Sequence, residues 1–151
     1  MNEELLLEIL KQYRKQYNHV NEISRITREL ETALQRNDTV SVQLLLGMRG
    51  EEMAEADGCR KNIRILSENV QEEDRERMER LLCAEPEVIR MEEGLTRQES
   101  SFLNQISDMH QKIKGILKAV VEVDKVLSKR LAGEKSYYCL LYTSDAADDK
   151  A

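Results

Sequence analysis

The feature that most constrains the fold is an uninterrupted heptad pattern near the end of the chain. Eight apolar residues follow one another at alternating spacings of four and three positions, the repeat of helices that pack side by side. They are Phe102, Ile106, Met109, Ile113, Ile116, Val120, Val123 and Leu127. Further apolar residues flank this row at Leu103, Leu117 and Leu131 on one side and at Ala119 and Val126 on the other. The stripe is wider than a two-stranded coiled coil needs, which favours a helical bundle.

The first half of the chain predicts a helical hairpin. From Glu3 to about Arg36, apolar residues recur every three or four positions, which indicates one long helix. The tetrapeptide Arg-Asn-Asp-Thr at 36–39 supplies residues that favour a left-handed helix end followed by an N-cap. A second helix is predicted from Thr39 to about Ser67.

The remaining segments complete an all-α prediction. The charged stretch from Glu68 to Arg80 keeps a thin apolar face and predicts a helix, and Pro86 places a turn at 84–87. Aromatic residues are only 4% of the chain and Trp is absent, a composition poor for strands. We expect an elongated antiparallel helical bundle or coiled-coil hairpin of three to four helices, with residues 1–138 as a single domain.

Arg49 occupies a position of the second helix where the pattern calls for an apolar residue. Two interpretations are open. The side chain can pack its stem across the seam and leave its guanidinium in water, or it can take part in a specific buried pair. We expect the first.

The last thirteen residues differ in character from the rest. Residues 139–148 read Cys-Leu-Leu-Tyr-Thr-Ser-Asp-Ala-Ala-Asp, which resembles the in-frame translation of a transposase adapter used for sequencing libraries. Segments of that origin are not selected for folding, so their pattern does not indicate native structure. We therefore expect 139–151 to be a non-native tail that replaces whatever naturally follows Tyr138.

No pattern for catalysis or for a cofactor occurs. A di-metal site in a helical bundle requires Glu three residues before His. Three residues before His19 is Gln16, and three residues before His110 is Ser107. Phosphate-binding glycine loops and nucleophile motifs are missing as well. We expect no enzyme activity, no metal and no cofactor, and we expect His19 to be a surface residue.

Nucleic acid and membrane partners are also disfavoured. The net charge is −6, without basic clusters interleaved with aromatic residues. The start of the chain lacks the basic and apolar regions of a signal peptide, and no run approaches the roughly 18 apolar residues of a membrane span. We expect a cytoplasmic protein in which Cys59 and Cys83 are reduced, partly buried thiols.

Several segments together carry a family resemblance. They are the long first helix with its reversal at 33–38, Leu44-Leu45-Leu46 followed by Arg49, an acidic break before the proline, and a closing helix with Asp124-Lys125-Val126-Leu127 and then Gly133-Glu134-Lys135-Ser136-Tyr137. In this, residues 3–138 resemble small bacterial flagellar export chaperones of the FlgN type.

The resemblance implies a function that depends on protein binding. Members of that family bind the C-terminal region of hook-filament junction subunits in the cytoplasm, keep them unassembled and deliver them for export. By resemblance the closing helix would hold the flagellar subunit. The matching positions are the apolar flank Leu103, Leu117, Val121 and Leu131, which leaves the central row to hold the bundle.

A second interpretation remains open from the residues alone. The regular row from Phe102 to Leu127 also suits a structural coiled-coil adaptor or a homo-oligomeric scaffold without an export role. Such a scaffold should form one stable oligomer whose melting temperature rises with protein concentration, whereas a chaperone should take up a specific partner.

Overall fold

The structure, a computed structural model, describes residues 1–130 and is an all-α helical bundle. Within that range every regular element is a helix. The elements are α1 (Glu3–Gln35), α2 (Thr39–Glu68), α3 (Glu72–Leu81), α4 (Pro86–Met91) and α5 (Arg97–Arg130). The predicted fold class is thereby confirmed. The predicted tail at 139–151 lies outside the described residues.

The reversal between α1 and α2 forms as the sequence predicts. Asn37 adopts the left-handed conformation, with φ of 54°. The Asp38 backbone N–H donates to the Ala33 carbonyl at 3.0 Å, which satisfies a carbonyl at the end of α1. The Asp38 carboxylate then accepts hydrogen bonds from the Ser41 backbone N–H at 3.1 Å and the Ser41 hydroxyl at 2.6 Å. These bonds lower the pKa of Asp38.

The chain divides into two compact units. The first consists of Met1–Asn18 and Glu55–Ile113, and the second of His19–Ala54 and the described residues from Lys114 to Arg130. The core of the second unit is an apolar cluster supplied by α1, α2 and α5. Its buried members are Ile26, Leu30, Ala33, Val42, Leu45, Leu46 and Leu127. That residues 1–138 form a single domain stays a prediction.

The buried apolar residues of the first unit come from all five helices. They are Leu6, Ile9, Leu10, Tyr13, Ala56, Cys59, Ile63, Met78, Leu81, Ile89, Leu103, Ile106 and Ile113. The short helices α3 and α4 thus join the core through Met78, Leu81 and Ile89, although most of their other residues are exposed.

The predicted turn at 84–87 is wrong, because Pro86 begins α4 instead of lying within a turn. Its fixed φ and missing N–H suit the first position of a helix, where the N–H would have no partner inside the helix. The break between α3 and α4 lies at residues 82–85 and includes Cys83, whose φ is 66°.

Two arginines of α3 hold the end of α4 through Glu92. Arg80 Nη1 donates to Glu92 Oε1 at 2.6 Å, and Arg77 Nε donates to Glu92 Oε2 at 2.9 Å. Arg77 also donates through Nη2 to the Glu93 carbonyl. Gly94, with φ of 81°, then turns the chain toward α5, and a β-carbon at this position would lie 3.1 Å from Arg77 Nη2.

We expect the Glu92 contacts to make stability depend on pH in the acid range. Hydrogen bonds from Arg80 and Arg77 lower the pKa of Glu92 from 4.5 to about 2. A carboxyl whose pKa falls on folding stabilises the folded state above its unfolded pKa, and this contribution is lost as the pH falls through the folded value. The difference in urea midpoint between wild type and Glu92→Gln should therefore be largest above pH 4.5 and shrink toward pH 2. A difference that does not change with pH would contradict the assignment.

Candidate protein-binding surface

The structure places the four predicted partner-binding residues in different environments. Leu103, in the first unit, is completely buried, and Val121, in the second unit, is 5% exposed. Leu117 is half-buried, and Leu131 lies outside the described residues. Their role in partner binding stays a prediction. In the chain alone, neither Leu103 nor Val121 offers exposed surface to a partner.

The apolar residues of α5 do not divide into a buried central row and an exposed flank. Alternate members of the predicted row, namely Phe102, Met109, Ile116 and Val123, are only half-buried. The buried side of α5 instead includes Glu99, Ser107 and Asp124, which are 2–3% exposed. Apolar spacing alone does not detect these buried polar positions. It therefore predicts a buried face that is rotated around the helix from the observed one.

Glu99 is buried at the start of α5 because its carboxylate has partners there. The Thr96 backbone N–H donates to Glu99 Oε1 at 2.8 Å, and the Glu99 N–H donates to Thr96 Oγ1 at 3.0 Å. This is a capping box, and Thr-Arg-Gln-Glu at 96–99 was the signal that could have found it. Burial alone would raise the pKa of Glu99. The hydrogen bond from Thr96 and the Met1 amino group, 3.1 Å from Oε2, lower it overall.

Arg49 and Asp124 form a buried ion pair in the second unit. Arg49 Nη1 lies 2.6 Å from Asp124 Oδ1, and the two residues are 1% and 2% exposed. Arg49 Nη1 also lies 3.4 Å from Thr27 Oγ1, whose hydroxyl donates to the Ile23 carbonyl at 2.7 Å. The expectation that the Arg49 guanidinium lies in water is therefore wrong. The guanidinium is buried because it forms an ion pair with the buried Asp124 carboxylate on α5. The pair therefore links α2 to α5.

An apolar row on α5 remains partly exposed in the second unit, and we call it the α5 outer row. It comprises Ile116, Ala119, Val123 and Val126 at spacings of three, four and three, so its members share one face of the helix. Val126 is 54% exposed, Ala119 is exposed, and Ile116 and Val123 are half-buried. Val123 packs against the core cluster with its covered side. The row therefore includes residues that pack on the core and residues that are exposed.

A second uncovered row lies on α2 in the same unit, and we call it the α2 outer row. Val40, Leu44 and Met48 follow one another at spacings of four and are 79%, 64% and 36% exposed. Leu44 also lines a shallow groove. The other residues of the groove are Glu29, Thr32, Ala33, Arg36, Ser41 and Leu45.

The remaining chemically reactive side chains have ordinary structural contacts. His19 is less exposed than the surface position expected for it. It is 28% exposed, and its Nδ1 lies 2.7 Å from Glu52 Oε2. Cys59 and Cys83 are not joined to each other by a disulfide, and the Tyr13 hydroxyl lies 3.0 Å from Cys83 Sγ. Burial raises the pKa of Cys59. Among residues 1–130, no group of three or more His, Cys, Asp or Glu could hold a metal ion.

These features define a helical bundle with partly exposed apolar rows on α2 and α5 of its second unit. None of the helices in the described part has both the length and the apolar content needed to cross a membrane. Comparisons with protein families, with curated proteins and with solved structures found no match to this chain.

Proposed function

We propose that the protein is a cytoplasmic export chaperone of the FlgN type that binds a flagellar structural subunit of the hook-filament junction class. The α5 outer row is the observation that carries the proposal. Apolar side chains exposed in a row cost free energy in water, and a partner that covers them removes that cost. A row at spacings of three and four fits the apolar face of an amphipathic helix. The bound helix would thereby be kept from polymerising.

The buried Arg49–Asp124 pair supports the proposal that α5 packs into the unit with one side and binds a partner with the other. Each residue belongs to a segment that carries the family resemblance, and the pair brings those segments of α2 and α5 together at 2.6 Å. Within Asp124-Lys125-Val126-Leu127, Asp124 and Leu127 are buried whereas Val126 is exposed. Asp124 and Leu127 thus pack inside the unit, whereas Val126 is accessible to a partner.

The charges beside the α5 outer row indicate what the partner helix carries. Lys118, Lys125 and Lys129 are exposed on α5, and Glu122 lies 3.1 Å from the Lys125 ammonium. This side of the helix is therefore mainly basic. A bound helix with acidic residues beside its apolar face would be attracted to it, and that part of the attraction should weaken as salt rises.

We expect Val126→Glu to weaken binding of a junction-subunit helix by about tenfold or more, equivalent to 1.4 kcal/mol or more. The substitution puts a carboxylate into the apolar contact but removes no buried side chain, since Val126 is 54% exposed. Binding is measured by fluorescence anisotropy with a labelled peptide from the C-terminal region of a junction subunit. Circular dichroism should show unchanged helicity.

Met91→Glu is the matched control, because Met91 is also an exposed apolar residue, at 81%, but lies on α4 in the first unit. It should leave the affinity unchanged. Equal weakening by both variants would mean that the charge acts without a specific contact. No binding by the wild type would contradict the proposal. If it were accompanied by a tight oligomer whose melting temperature rises with concentration, the result would favour a coiled-coil adaptor.

A further inference from the structure

The α2 outer row lies on the side of its helix that faces away from the core of the second unit. Val42, Leu45 and Leu46 point into the core cluster, whereas Val40, Leu44 and Met48 are exposed. At 100° per residue, Leu44 and Glu51 lie within about 20° of each other around the helix. The proposed function does not use this row, because the α5 outer row carries it.

The two ends of the α2 outer row carry opposite charges. Arg36 lies just before α2 and lines the same groove as Leu44, so it marks the beginning of the row. Glu29 lines this groove as well, but its carboxylate lies 2.7 Å from Arg25 and is paired there. Glu51 is exposed and follows Leu44 by seven positions, so it marks the end. The surface therefore runs from a cation through three apolar side chains to an anion. It is complementary to a copy of itself turned end to end.

We propose that a second copy of this chain docks on the α2 outer row in an antiparallel arrangement with its two-fold axis at Leu44. In this register Leu44 meets its counterpart and Val40 of each copy meets Met48 of the other. Arg36, which lies in the turn just before α2, comes to the same end of the interface as Glu51 of the other copy. Such an interface uses the same patch on both copies and closes at a dimer.

Gly47 suits the centre of this interface. It is exposed next to Leu44 on α2, and a β-carbon added there would have no atom within 4 Å. The missing side chain leaves space beside Leu44, into which the Leu44 side chain of the other copy can pack against the helix backbone. The close approach of the two helices depends on this space.

The size of the row predicts a weak and reversible dimer. Stable interfaces bury about 1,200–2,000 Å², more than three apolar side chains and one charged residue at each end of the row supply. We therefore expect association at high protein concentration and dissociation on dilution. Because the row lies apart from Val126 in sequence and on another helix, failure of the dimer would leave the proposed export function untouched.

Sedimentation equilibrium of the full chain, from about 10 µM to about 1 mM, tests the proposal over the range of weak association constants. The wild type should rise from the 17.5 kDa monomer toward twice that mass. Leu44→Glu should remain monomeric throughout, and Met91→Glu, which alters an exposed apolar residue of α4, should associate like the wild type. A wild type that stays monomeric, or a Leu44→Glu variant that associates equally well, would overturn the proposal.

A charge exchange tests the antiparallel register. Arg36→Glu and Glu51→Arg should each weaken association severalfold, because each places like charges opposite one another at both ends of the dimer. The chain carrying both substitutions should regain wild-type association, since every contact is again between opposite charges. If the double variant associates no better than the single ones, the two residues do not face each other and this register is wrong. If the α2 row instead binds the junction-subunit peptide and Leu44→Glu abolishes that binding without changing the mass, the occupant is that peptide and the proposal fails.

Discussion

Arg49→Met is expected to lower the free energy of unfolding by about 3–5 kcal/mol, the usual cost of removing one partner of a buried ion pair. The Asp124 carboxylate, 2% exposed, would lose the charge that lies 2.6 Å from Oδ1. Thr27 lies 3.4 Å from the same guanidinium nitrogen, but its hydroxyl already donates to the Ile23 carbonyl. A neutral side chain at position 49 therefore leaves a buried negative charge without a cation.

The double variant Arg49→Met with Asp124→Leu separates this cost from general damage to the core. Replacing both members of a buried pair by apolar residues of similar volume is often neutral or stabilising, so most of the loss should be recovered. Urea unfolding supplies the free energies. Arg28→Met is the matched control, since Arg28 is an exposed arginine of α1, and it should change stability by less than about 0.5 kcal/mol. An equally small effect of Arg49→Met would place its guanidinium in water.

Leu103→Ala is expected to cost about 2–5 kcal/mol, the range for a fully buried leucine replaced by alanine. Leu103 has no exposed surface, so its truncation removes apolar contacts and leaves a cavity in the first unit. Val126→Ala, which shortens a 54% exposed side chain of the same helix, is the matched control and should cost far less. Thermal and urea unfolding of both variants measure the difference.

The outcome at Leu103 also decides between two roles for this residue. A large loss of stability is expected if Leu103 belongs to the core. A variant with nearly wild-type stability that no longer binds a junction-subunit peptide would instead support the sequence-based prediction that Leu103 contacts the partner, and it would contradict the packing of α5 described above.

The sequence predicts the fold class and the first hairpin well because those features depend on local chemistry. Apolar spacing is enough to indicate α1 and α2, and Asn37 and Asp38 have the conformational and capping preferences that a tight reversal needs. The short helix α4 is not predicted from Pro86, because a proline usually marks the end of a preceding helix, although it is also favoured at the first position of a new one.

The buried side of α5 could not be found from apolar spacing because polar residues occupy part of it. Asp124 is buried only because Arg49, 75 residues earlier in the chain, reaches it. Glu99 is buried because Thr96 and the Met1 amino group surround its carboxylate. Such pairings are tertiary and leave no periodic signal. The partner flank, which rests on the family resemblance, includes Leu103 and Val121, and both are buried in the chain alone, whereas Val126 is exposed.

The two proposed binding surfaces of the second unit differ in their charges. The α5 outer row is flanked by lysines and is proposed to hold a partner helix, whereas the α2 outer row has opposite charges at its ends and is proposed to hold a second copy. Substitutions at Val126 and Leu44 should therefore affect different measurements. A variant at either position that altered both binding and mass would show that the two rows do not act separately.

Hydrogen exchange of the full chain, alone and with an excess of a hook-filament junction subunit, tests most directly whether α5 is the partner-binding element. A bound helix covers side chains and suppresses local opening of the helix beneath it. We expect slower exchange within residues 114–130, where the α5 outer row lies, with little change at α4. Unchanged exchange in 114–130, or protection confined to α4, would contradict this role of α5.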